Sequence, residues 1–283
     1  MPLPAILITG CSSGIGRATA LRLASSGKWT VWATARKLGS IADLAATGCR
    51  TLPLDVTNEA SMKAAVAAIE AEHGTVAALV NNAGYQQTGA VESVSLTDYR
   101  TQFETNVFGA IRLIQLVAPG MRRAGKGRIV NVSSMGGRIT LPGGGAYHGT
   151  KHALEAISDA LRMEIESFGI DVVIIEPGLI RTGFAGAALD SIAPHPEDGP
   201  YADFNASIAR AYAGMEKPPT SMIVSEPEAV AAAIARALSA RRPRTRYRVG
   251  ISARLFLGLH AILSDRLWDR LAGRIIPLPR PAR

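Results

Sequence analysis

The chain has 283 residues, of which 47% are apolar, and two cysteines, Cys11 and Cys49. This composition excludes a disordered chain and a disulfide-based fold, and it indicates a large buried core in a reducing, cytoplasmic environment. The net charge of +8 is uneven, because residues 241–283 contain eleven Arg and two Asp while the remainder is near neutral. We expect neither a secretory N-terminal signal nor a membrane-spanning segment.

Short apolar strands alternate with amphipathic helices from residue 5 to residue 178. The predicted strands are 5–9, 30–35, 49–56, 76–84, 127–134 and 171–178, and the predicted helices are 15–26, 61–74, 96–123 and 147–168. The basic stretch 241–250 leads into a last strand. Alternation of this kind predicts an α/β fold in which helices cover a parallel sheet.

A glycine-rich turn, TGCSSGIG at 9–16, follows the first strand and opens the first helix. Its glycines allow the backbone to approach a pyrophosphate, which would lie on the helix N-terminus. The candidate contacts are Gly10, Ser12, Ser13, Gly14, Ile15 and Gly16. The strand–turn–helix context predicts a dinucleotide site.

The residues after the second strand predict which dinucleotide binds. An acidic residue there would bind the adenosine ribose 2′-hydroxyl, whereas an arginine would accept a 2′-phosphate. Ala35 fills the acidic position and Arg36 follows, which favours NADP and leaves NAD as the alternative. The other predicted contacts in this half are Asp55 and Val56 at the adenine and Asn82, Ala83 and Gly84 after the fourth strand.

Tyr147 and Lys151 lie four residues apart in the run AYHGTKHALEAI, and Ser134 lies thirteen residues before the tyrosine. Four residues are about one helical turn, so the phenol and the ammonium share one face. A nearby cation favours phenolate and would lower the tyrosine pKa from about 10 toward the working pH. The pair therefore indicates acid–base chemistry on an alcohol or carbonyl, although such spacing also occurs on solvated helices.

The ordered motifs resemble those of the classical short-chain dehydrogenases/reductases over roughly residues 3–250. They are TGCSSGIG, Asp55, NNAG at 81–84, Asn106, Ser134, YHGTK at 147–151 and PGLIRT at 177–182. The resemblance implies a single doubly wound Rossmann-fold domain with a seven-stranded parallel sheet. It also implies hydride transfer between a nicotinamide and a hydroxyl or carbonyl carbon, without a metal.

The same resemblance implies a role for each matched residue. Tyr147 would exchange the hydroxyl proton, and Lys151 would lower the tyrosine pKa and hold the nicotinamide ribose. Ser134 would bind the substrate oxygen, and Asn106 would anchor a water that links Lys151 to solvent. The remaining predicted nicotinamide-side contacts are Pro177, Gly178, Ile180 and Thr182. Two flanking histidines, His148 and His152, are predicted to be structural.

Residues 183–224 interrupt the strand–helix rhythm and form a candidate substrate lid, with a plain surface loop as the alternative. The predicted substrate contacts are Ser134, Met135, Gly136, Leu141 and Tyr147, followed by Pro142, Gly143, Gln86 and Phe184. Mostly small or apolar residues suggest a lipophilic alcohol or ketone. The C-terminal tail loosely resembles that of hydroxysteroid- and retinol-type members of the family, which implies a steroid-like or retinoid-like substrate. His195, inside the insertion, is expected to face solvent.

Residues 251–283 read as a basic amphipathic helical extension of the catalytic domain 1–250. Two apolar stripes, Leu255–Leu259–Ile262–Leu263 and Leu267–Leu271–Ile275, run beside arginines at 266, 270 and 274. The helices could pack on the body or on another subunit, or they could contact an anionic membrane. Nucleic-acid binding is not expected, because no nucleic-acid motif accompanies the arginines.

Two other functions compete with the oxidoreductase of a lipophilic alcohol/ketone pair. One is a 3-oxoacyl-thioester reductase that docks an acidic carrier protein, against which the bulky insertion argues. The other is a non-catalytic dinucleotide sensor or scaffold, against which the retained Tyr147 and Lys151 argue. The family resemblance implies a homodimer or homotetramer formed through the helices that carry Asn106 and Tyr147.

Overall fold

A computed structural model of the protein describes residues 3–192, 199–214 and 217–279. Seven strands form one sheet: β1 (Ala5–Ile8), β2 (Thr30–Ala35), β3 (Arg50–Pro53), β4 (Ala78–Asn81), β5 (Gly127–Val132), β6 (Ile170–Pro177) and β7 (Arg246–Val249). Their order is β3-β2-β1-β4-β5-β6-β7, and all neighbours pair in parallel. The predicted seven-stranded, doubly wound α/β fold is confirmed.

Ten α-helices flank this sheet in the described part of the chain. They are α1 (Gly14–Ser25), α2 (Glu59–His73), α3 (Leu96–Phe103), α4 (Gly109–Ala124), α5 (Gly145–Ile165), α6 (Phe184–Asp190), α7 (Ala202–Ala213), α8 (Pro227–Ser239), α9 (Ile251–Ile262) and α10 (Asp265–Ile275). A π-turn at Glu104–Phe108 joins α3 to α4, so the predicted helix 96–123 is one helical run with a local widening. Helix α8 was not predicted, although Pro at its first position and an alanine-rich run are helix signals.

Both faces of the sheet are buried, which explains why its central strands are apolar at nearly every position. Ile6 and Ile8 of β1 point into a core shared with α1 and α8. Leu7, between them, points into the opposite core with residues of α2 and α4. Alternate residues of a strand face opposite sides, so each β1 residue supports one of the two layers.

The strand order reverses between β1 and β4, because the chain crosses from β3 at one edge back to the centre. A crevice forms at the carboxyl ends of the strands at such a switch point, and ligands of doubly wound sheets bind there. The glycine-rich turn after β1 and the residues after β4 meet at this place.

Helices α9 and α10 pack on the body through a face that the sequence did not indicate. Ala253, Leu257 and Trp268 are buried in a cluster with Met135, and the Trp268 indole donates to the Thr140 carbonyl at 3.1 Å. The predicted stripes are turned partly to solvent instead: Leu255, Ile262, Leu267 and Ile275 are exposed. The indole and the small Ala253 fit closely against the loop after β5, and this contact sets the rotation of the helices. In the described residues, no helix is long and apolar enough to cross a membrane.

Candidate active site

The glycine-rich turn has a shape that other residues cannot adopt. Gly10 and Gly14 have φ values of 72° and 54°, in the left-handed region that favours glycine. A Cβ on Gly16 would overlap the Gly10 carbonyl oxygen and lie 2.5 Å from Asn82 Nδ2. All three positions therefore require glycine for local geometric reasons, before any ligand is considered.

Asn82 and Thr9 hold this turn against the end of β4. The Asn82 side-chain amide donates to the carbonyls of Thr9 and Gly10 at 2.9 and 3.1 Å. In return, the Thr9 hydroxyl accepts from the backbone N–H groups of Asn82 and Ala83 at 3.0 and 2.9 Å. Asn82 thus fixes the turn as well as adjoining it, and Thr9 is a supporting residue that sequence reasoning missed.

The start of α1 fits a pyrophosphate. No acidic residue lies in its first turn, the Ser13 side chain makes no cap hydrogen bond, and Ser12 and Ser13 are exposed. Thr182 lies over the turn, since a Cβ on Gly14 would be 3.0 Å from its Cγ2. Free N–H groups and a positive helix end suit an anion at this position.

The adenosine end of the crevice is basic on one side and acidic on the other. Ala35 is buried at the end of β2, and Arg36 follows it fully on the surface. Arg17, also near this end, is paired with Asp43. After β3, Asp55 Oδ1 accepts from the N–H and hydroxyl of Thr57 at 2.9 and 2.8 Å, while Val56 is buried beside it. These residues could hold the adenosine of a nicotinamide dinucleotide.

Tyr147, Ser134 and Lys151 converge at the carboxyl ends of β4 and β5. The Ser134 hydroxyl hydrogen-bonds the Tyr147 hydroxyl and also accepts from Gly136 N at 3.0 Å. Lys151 Nζ lies 5.7 Å from the centre of the Tyr147 ring and donates to the Val132 carbonyl at 2.8 Å. Both side chains are buried on one face of α5. The predicted triad is therefore assembled, with Ser133 directed away from it toward Glu155.

The pKa of Tyr147 differs in direction from the sequence expectation. Burial raises it to about 12, and the hydrogen bond from Ser134 opposes that rise only in part. Burial also lowers the pKa of Lys151 to about 8, with Glu155 one turn later acting in the opposite sense. Lys151 does not lower the Tyr147 pKa as expected, because its ammonium is directed to the Val132 carbonyl and is itself desolvated. The protein alone therefore presents a neutral phenol, which suits a proton donor.

Asn106 lies in the π-turn between α3 and α4, a feature common at functional sites. Its side chain accepts from Tyr85 N at 3.1 Å and donates to the Tyr85 carbonyl at 2.9 Å and to Thr150 at 3.1 Å. A Cβ on Gly84 would lie 3.0 Å from Asn106 Oδ1 and 3.8 Å from Lys151 Nζ. Asn106 thus joins the β4 loop to α5, and its predicted water contact stays a prediction.

The segment after β6 is held by α9 and by the residues before α8. Leu179 N donates to the Ser252 hydroxyl at 2.9 Å, and Ile180 forms a parallel bridge with Ser225. A Cβ on Gly178 would overlap the Ser252 hydroxyl. These contacts hold Pro177–Thr182 beside the glycine-rich turn. A nicotinamide would lie next to this segment if the pyrophosphate binds at the start of α1.

Helices α6 and α7, which belong to the predicted insertion, each place an aromatic residue near Tyr147. Phe184 of α6 contacts the Tyr147 ring edge-on, with 5.5 Å between ring centres. Tyr212 of α7 hydrogen-bonds the Gln86 side chain and lies close enough to influence the pKa of Tyr147. Tyr212 is a site residue that the sequence did not reveal, because its partner lies 126 positions away.

The predicted substrate contacts have different surroundings. Met135 is buried in the apolar cluster with Trp268, so most of its side chain packs against the C-terminal helices. Leu141 is half-buried between that cluster and a second one formed with Phe204 and Ile208 of α7. Gly136 lies against the His148 imidazole. Gly136 therefore lies beside Ser134 and His148, Leu141 packs toward α7, and Met135 packs toward the C-terminal helices.

His148 supports the loop after β5, in agreement with the structural role predicted for it. Its Nδ1 accepts from Leu141 N at 3.1 Å, and burial lowers the pKa of His148 to about 4. His152 Nδ1 contacts the His148 carbonyl at 2.9 Å. His195 lies outside the described residues.

Comparisons with known proteins agree with this geometry. The profile of the family described as short chain dehydrogenase matches residues 4–192. The chain is 36% identical over 250 residues to the 3-ketodihydrosphingosine reductase of Bacteroides thetaiotaomicron, covering 87% of each protein. It is 32% identical over 273 residues to the NADPH-dependent 3-dehydrocapnine reductase of Ornithobacterium rhinotracheale, covering 94% of each. A short-chain dehydrogenase structure from Streptomyces avermitilis superposes with a TM-score of 0.78 at 36% identity, over 95% of this chain and 94% of that one. The chain therefore belongs to the short-chain dehydrogenase/reductase family, a family of oxidoreductases with a nucleotide-binding Rossmann fold.

Proposed function

We propose that the protein is an NADP-dependent oxidoreductase that interconverts a lipophilic ketone and its alcohol, with Tyr147 as the general acid or base. The observation that carries this proposal is the buried Tyr147 phenol, hydrogen-bonded to Ser134 and roofed by Phe184. A neutral phenol of high pKa donates a proton to a reduced carbonyl more readily than it removes one from an alcohol. We therefore propose that Tyr147 is the proton donor when the protein reduces a carbonyl compound.

Each side chain has a defined task in this proposal. The Ser134 and Tyr147 hydroxyls hold the substrate oxygen, and Tyr147 passes its proton to that oxygen as the carbonyl is reduced. Lys151, charged below a pKa of about 8, stabilises negative charge that develops on the phenol. The nicotinamide supplies the hydride when bound. Phe184 and the buried surroundings exclude water from the proton donor.

We propose NADP rather than NAD as the cofactor. Ala35 cannot bind the ribose 2′-hydroxyl as a carboxylate would, and Arg36 forms no ion pair with a described residue. A free, exposed guanidinium beside this position favours a 2′-phosphate. The wording of one relative's name, an NADPH-dependent reductase, supports the same choice.

The proposed substrate is lipophilic because Tyr147 lies beside Phe184 and near Tyr212, and Tyr212 belongs to an apolar cluster. Leu141, Ile192, Phe204 and Ile208 pack together there, with Tyr212 among them. Steroid-like and retinoid-like carbonyl compounds fit such surroundings. Two relatives named as reductases, of 3-ketodihydrosphingosine and of 3-dehydrocapnine, support carbonyl reduction and add long-chain ketones to the class.

A turnover screen tests the proposal. Steroid, retinoid and long-chain aliphatic carbonyl compounds, together with 3-oxoacyl thioesters, are offered with NADPH or NADH, and cofactor oxidation is followed at 340 nm. We expect NADPH-dependent turnover of one or more lipophilic ketones or aldehydes. Turnover of thioesters alone would establish the carrier-protein reductase instead. Binding of NADPH without turnover of any compound would favour the non-catalytic sensor.

The proposed self-assembly is a homodimer or homotetramer through α3, α4 and α5. This face exposes apolar side chains, with Leu96, Phe108 and Met163 exposed by 69%, 50% and 71%. Large exposed apolar residues on adjacent helices are typical of subunit interfaces. Phe108→Glu should shift the sedimentation coefficient toward that of a monomer, whereas Phe168→Glu, on the loop after α5, should not.

We also propose peripheral membrane contact through α9 and α10 from a cytoplasmic location. The exposed stripe residues Leu255, Ile262 and Leu267 lie on helices that carry four exposed arginines, at 254, 266, 270 and 274. The free, buried Cys11 and Cys49 fit a reducing compartment. The double variant Leu255→Ser/Ile262→Ser should reduce co-sedimentation of the full-length protein with anionic vesicles.

A further inference from the structure

A cavity opens at the β7 edge of the sheet. It has a volume of about 920 Å³. It is lined by the end of α8, the approach to β7, β7 itself and the first turn of α9: Arg236, Ser239, Ala240, Arg242, Arg244, Arg246, Tyr247, Arg248 and Arg254. Six of the nine lining residues are arginines and none is acidic. We call this feature the arginine cavity.

Two of the six arginines are held from behind by buried acids. Arg246 pairs with Glu155 at 3.0 Å and Glu176 at 3.2 Å and also with Asp159. Arg248 pairs with Glu176 at 3.3 Å. These pairs fix the floor of the cavity and leave little of their charge for an outside ligand.

The other four arginines have no acidic partner among the residues that the structure describes. They are Arg236, Arg242, Arg244 and Arg254, and all four are exposed. Guanidinium groups gathered in one concavity repel each other unless an anion enters between them. Arginine binds phosphate oxygens through two parallel hydrogen bonds, so several arginines around one space suit a phosphate group.

An exposed apolar surface begins at the rim of the cavity. Arg254 lies on α9 between Ile251 and Leu255, and the three share one helix face because they are three and four residues apart. Ile251 is 60% exposed and Leu255 46%, and Ile262, two turns further, is 80% exposed. A soluble polyanion would use the arginines but not this apolar face.

We propose that the arginine cavity binds the phosphate headgroup of an anionic phospholipid, while the exposed face of α9 enters the adjoining acyl region. Phosphate and hydrocarbon occur side by side at a membrane surface, and the cavity and the α9 face present the matching groups side by side. The inference rests on the proposed membrane contact of α9 and α10 and gives that contact a headgroup site. It also gives β7, an edge strand, a charged border that resists pairing with a second copy.

The test measures binding of the full-length protein to vesicles of phosphatidylcholine with and without phosphatidylglycerol. The cavity variant is Arg242→Glu/Arg244→Glu. The control is Arg22→Glu/Arg123→Glu, which makes the same charge change at exposed positions elsewhere. We expect the wild-type protein to bind only the anionic vesicles, the cavity variant to bind them more than about tenfold more weakly, and the control to change by less than about twofold. Equal losses in the two variants would overturn the proposal, because they would show general charge attraction.

A second arm separates lipid from free phosphate. Inorganic pyrophosphate is titrated by calorimetry against the same proteins saturated with NADPH, which occupies the proposed cofactor site, with and without vesicles. Weak binding of pyrophosphate beside strong vesicle binding supports the headgroup site. Strong pyrophosphate binding that depends on Arg242 and Arg244, without vesicle binding, would replace the lipid by a soluble anion and overturn the proposal. Turnover of a carbonyl substrate without vesicles should be unchanged in the cavity variant, so failure of the proposed enzyme activity would be seen separately.

Discussion

The glycine-rich turn and the arginine cavity are opposite solutions to holding an anion. Around the turn, the Asn82 amide binds the Thr9 and Gly10 carbonyls, and the N–H groups at the start of α1 stay available for the proposed pyrophosphate. In the arginine cavity, four exposed cations lack described acidic partners and lie beside an apolar surface. The comparison teaches that the candidate cofactor site is shaped by backbone geometry, whereas the proposed headgroup site relies on exposed side-chain charge. Anion affinity at the glycine-rich turn should therefore depend on the shape of the backbone. Anion affinity in the arginine cavity should depend on the salt concentration.

The largest expected effect is on the catalytic residues of the rigid region. Ser134→Ala removes a hydrogen bond to the Tyr147 hydroxyl and to the substrate oxygen, and we expect kcat to fall about 100-fold or more. Ser133→Ala is the matched control, because that buried neighbour faces Glu155 and should leave kcat within about threefold. Steady-state kinetics with NADPH measure both. Similar losses in the two variants would mean that the loop, not the hydroxyl, is responsible.

The claim that shape governs the cofactor site is tested at Gly16. A Cβ there would meet the Gly10 carbonyl and the Asn82 amide, so Gly16→Ala should cost about 1–3 kcal/mol of unfolding free energy and weaken NADPH binding. Gly186 is also helical, but a Cβ on it would meet no atom within 4 Å. Gly186→Ala should therefore be neutral or slightly stabilising. Urea unfolding and fluorescence titration with NADPH compare the two, and unchanged NADPH affinity in Gly16→Ala would contradict the overlap.

Within the cofactor crevice, a charged side chain should affect cofactor affinity only at the adenosine end, where Arg36 lies. Arg36→Asp replaces the proposed 2′-phosphate partner by the residue that binds a ribose hydroxyl, and we expect the ratio of NADP to NAD affinity to fall about tenfold or more. Lys28→Asp makes the same charge change at another exposed position and should leave the ratio unaltered. Equal affinity ratios in wild type and Arg36→Asp would show that Arg36 is only a solvated side chain.

The smallest effect concerns His148, which supports the loop after β5. The folded-state pKa of His148, about 4, lies below the ordinary value of 6.5, so the unfolded chain binds more protons between these values. Stability should fall as the pH drops through that window, by about 1 kcal/mol between pH 7 and pH 5.5. His148→Asn should flatten this dependence, while His152→Asn, at an exposed position, should keep it. Urea unfolding at the two pH values measures the difference.

The sequence predicted the sheet and the position of the glycine-rich turn well because their signals stand in short runs of sequence. Gly10 and Gly14 adopt positive φ angles that belong to the turn itself, and the strands appear as short apolar runs in the sequence. The contact between Tyr212 and Gln86 was not predictable, because it joins α7 to the β4 loop across 126 positions. The buried face of α9 was misjudged for a related reason: Ala253 packs more closely than Leu255 against a surface that the sequence does not display.

In the active site, the sequence predicted the positions of the side chains but not their pKa values. Four-residue spacing placed Tyr147 and Lys151 on one face of α5 correctly, but it could not give their burial or the Val132 carbonyl that Lys151 contacts. Desolvation of both groups therefore reversed the expected direction of the Tyr147 pKa. The four-residue spacing was therefore sufficient to place Tyr147 and Lys151 on one helix face, but it could not predict their protonation states.

The central claim is that the Tyr147 hydroxyl delivers the proton during reduction of a lipophilic carbonyl compound. It is tested most directly by single-turnover oxidation of bound NADPH in Tyr147→Phe, using the best substrate of the screen and confirming NADPH affinity beforehand. The account predicts a rate at least about 100-fold below wild type, with NADPH affinity retained. A rate within a few-fold of wild type would contradict it.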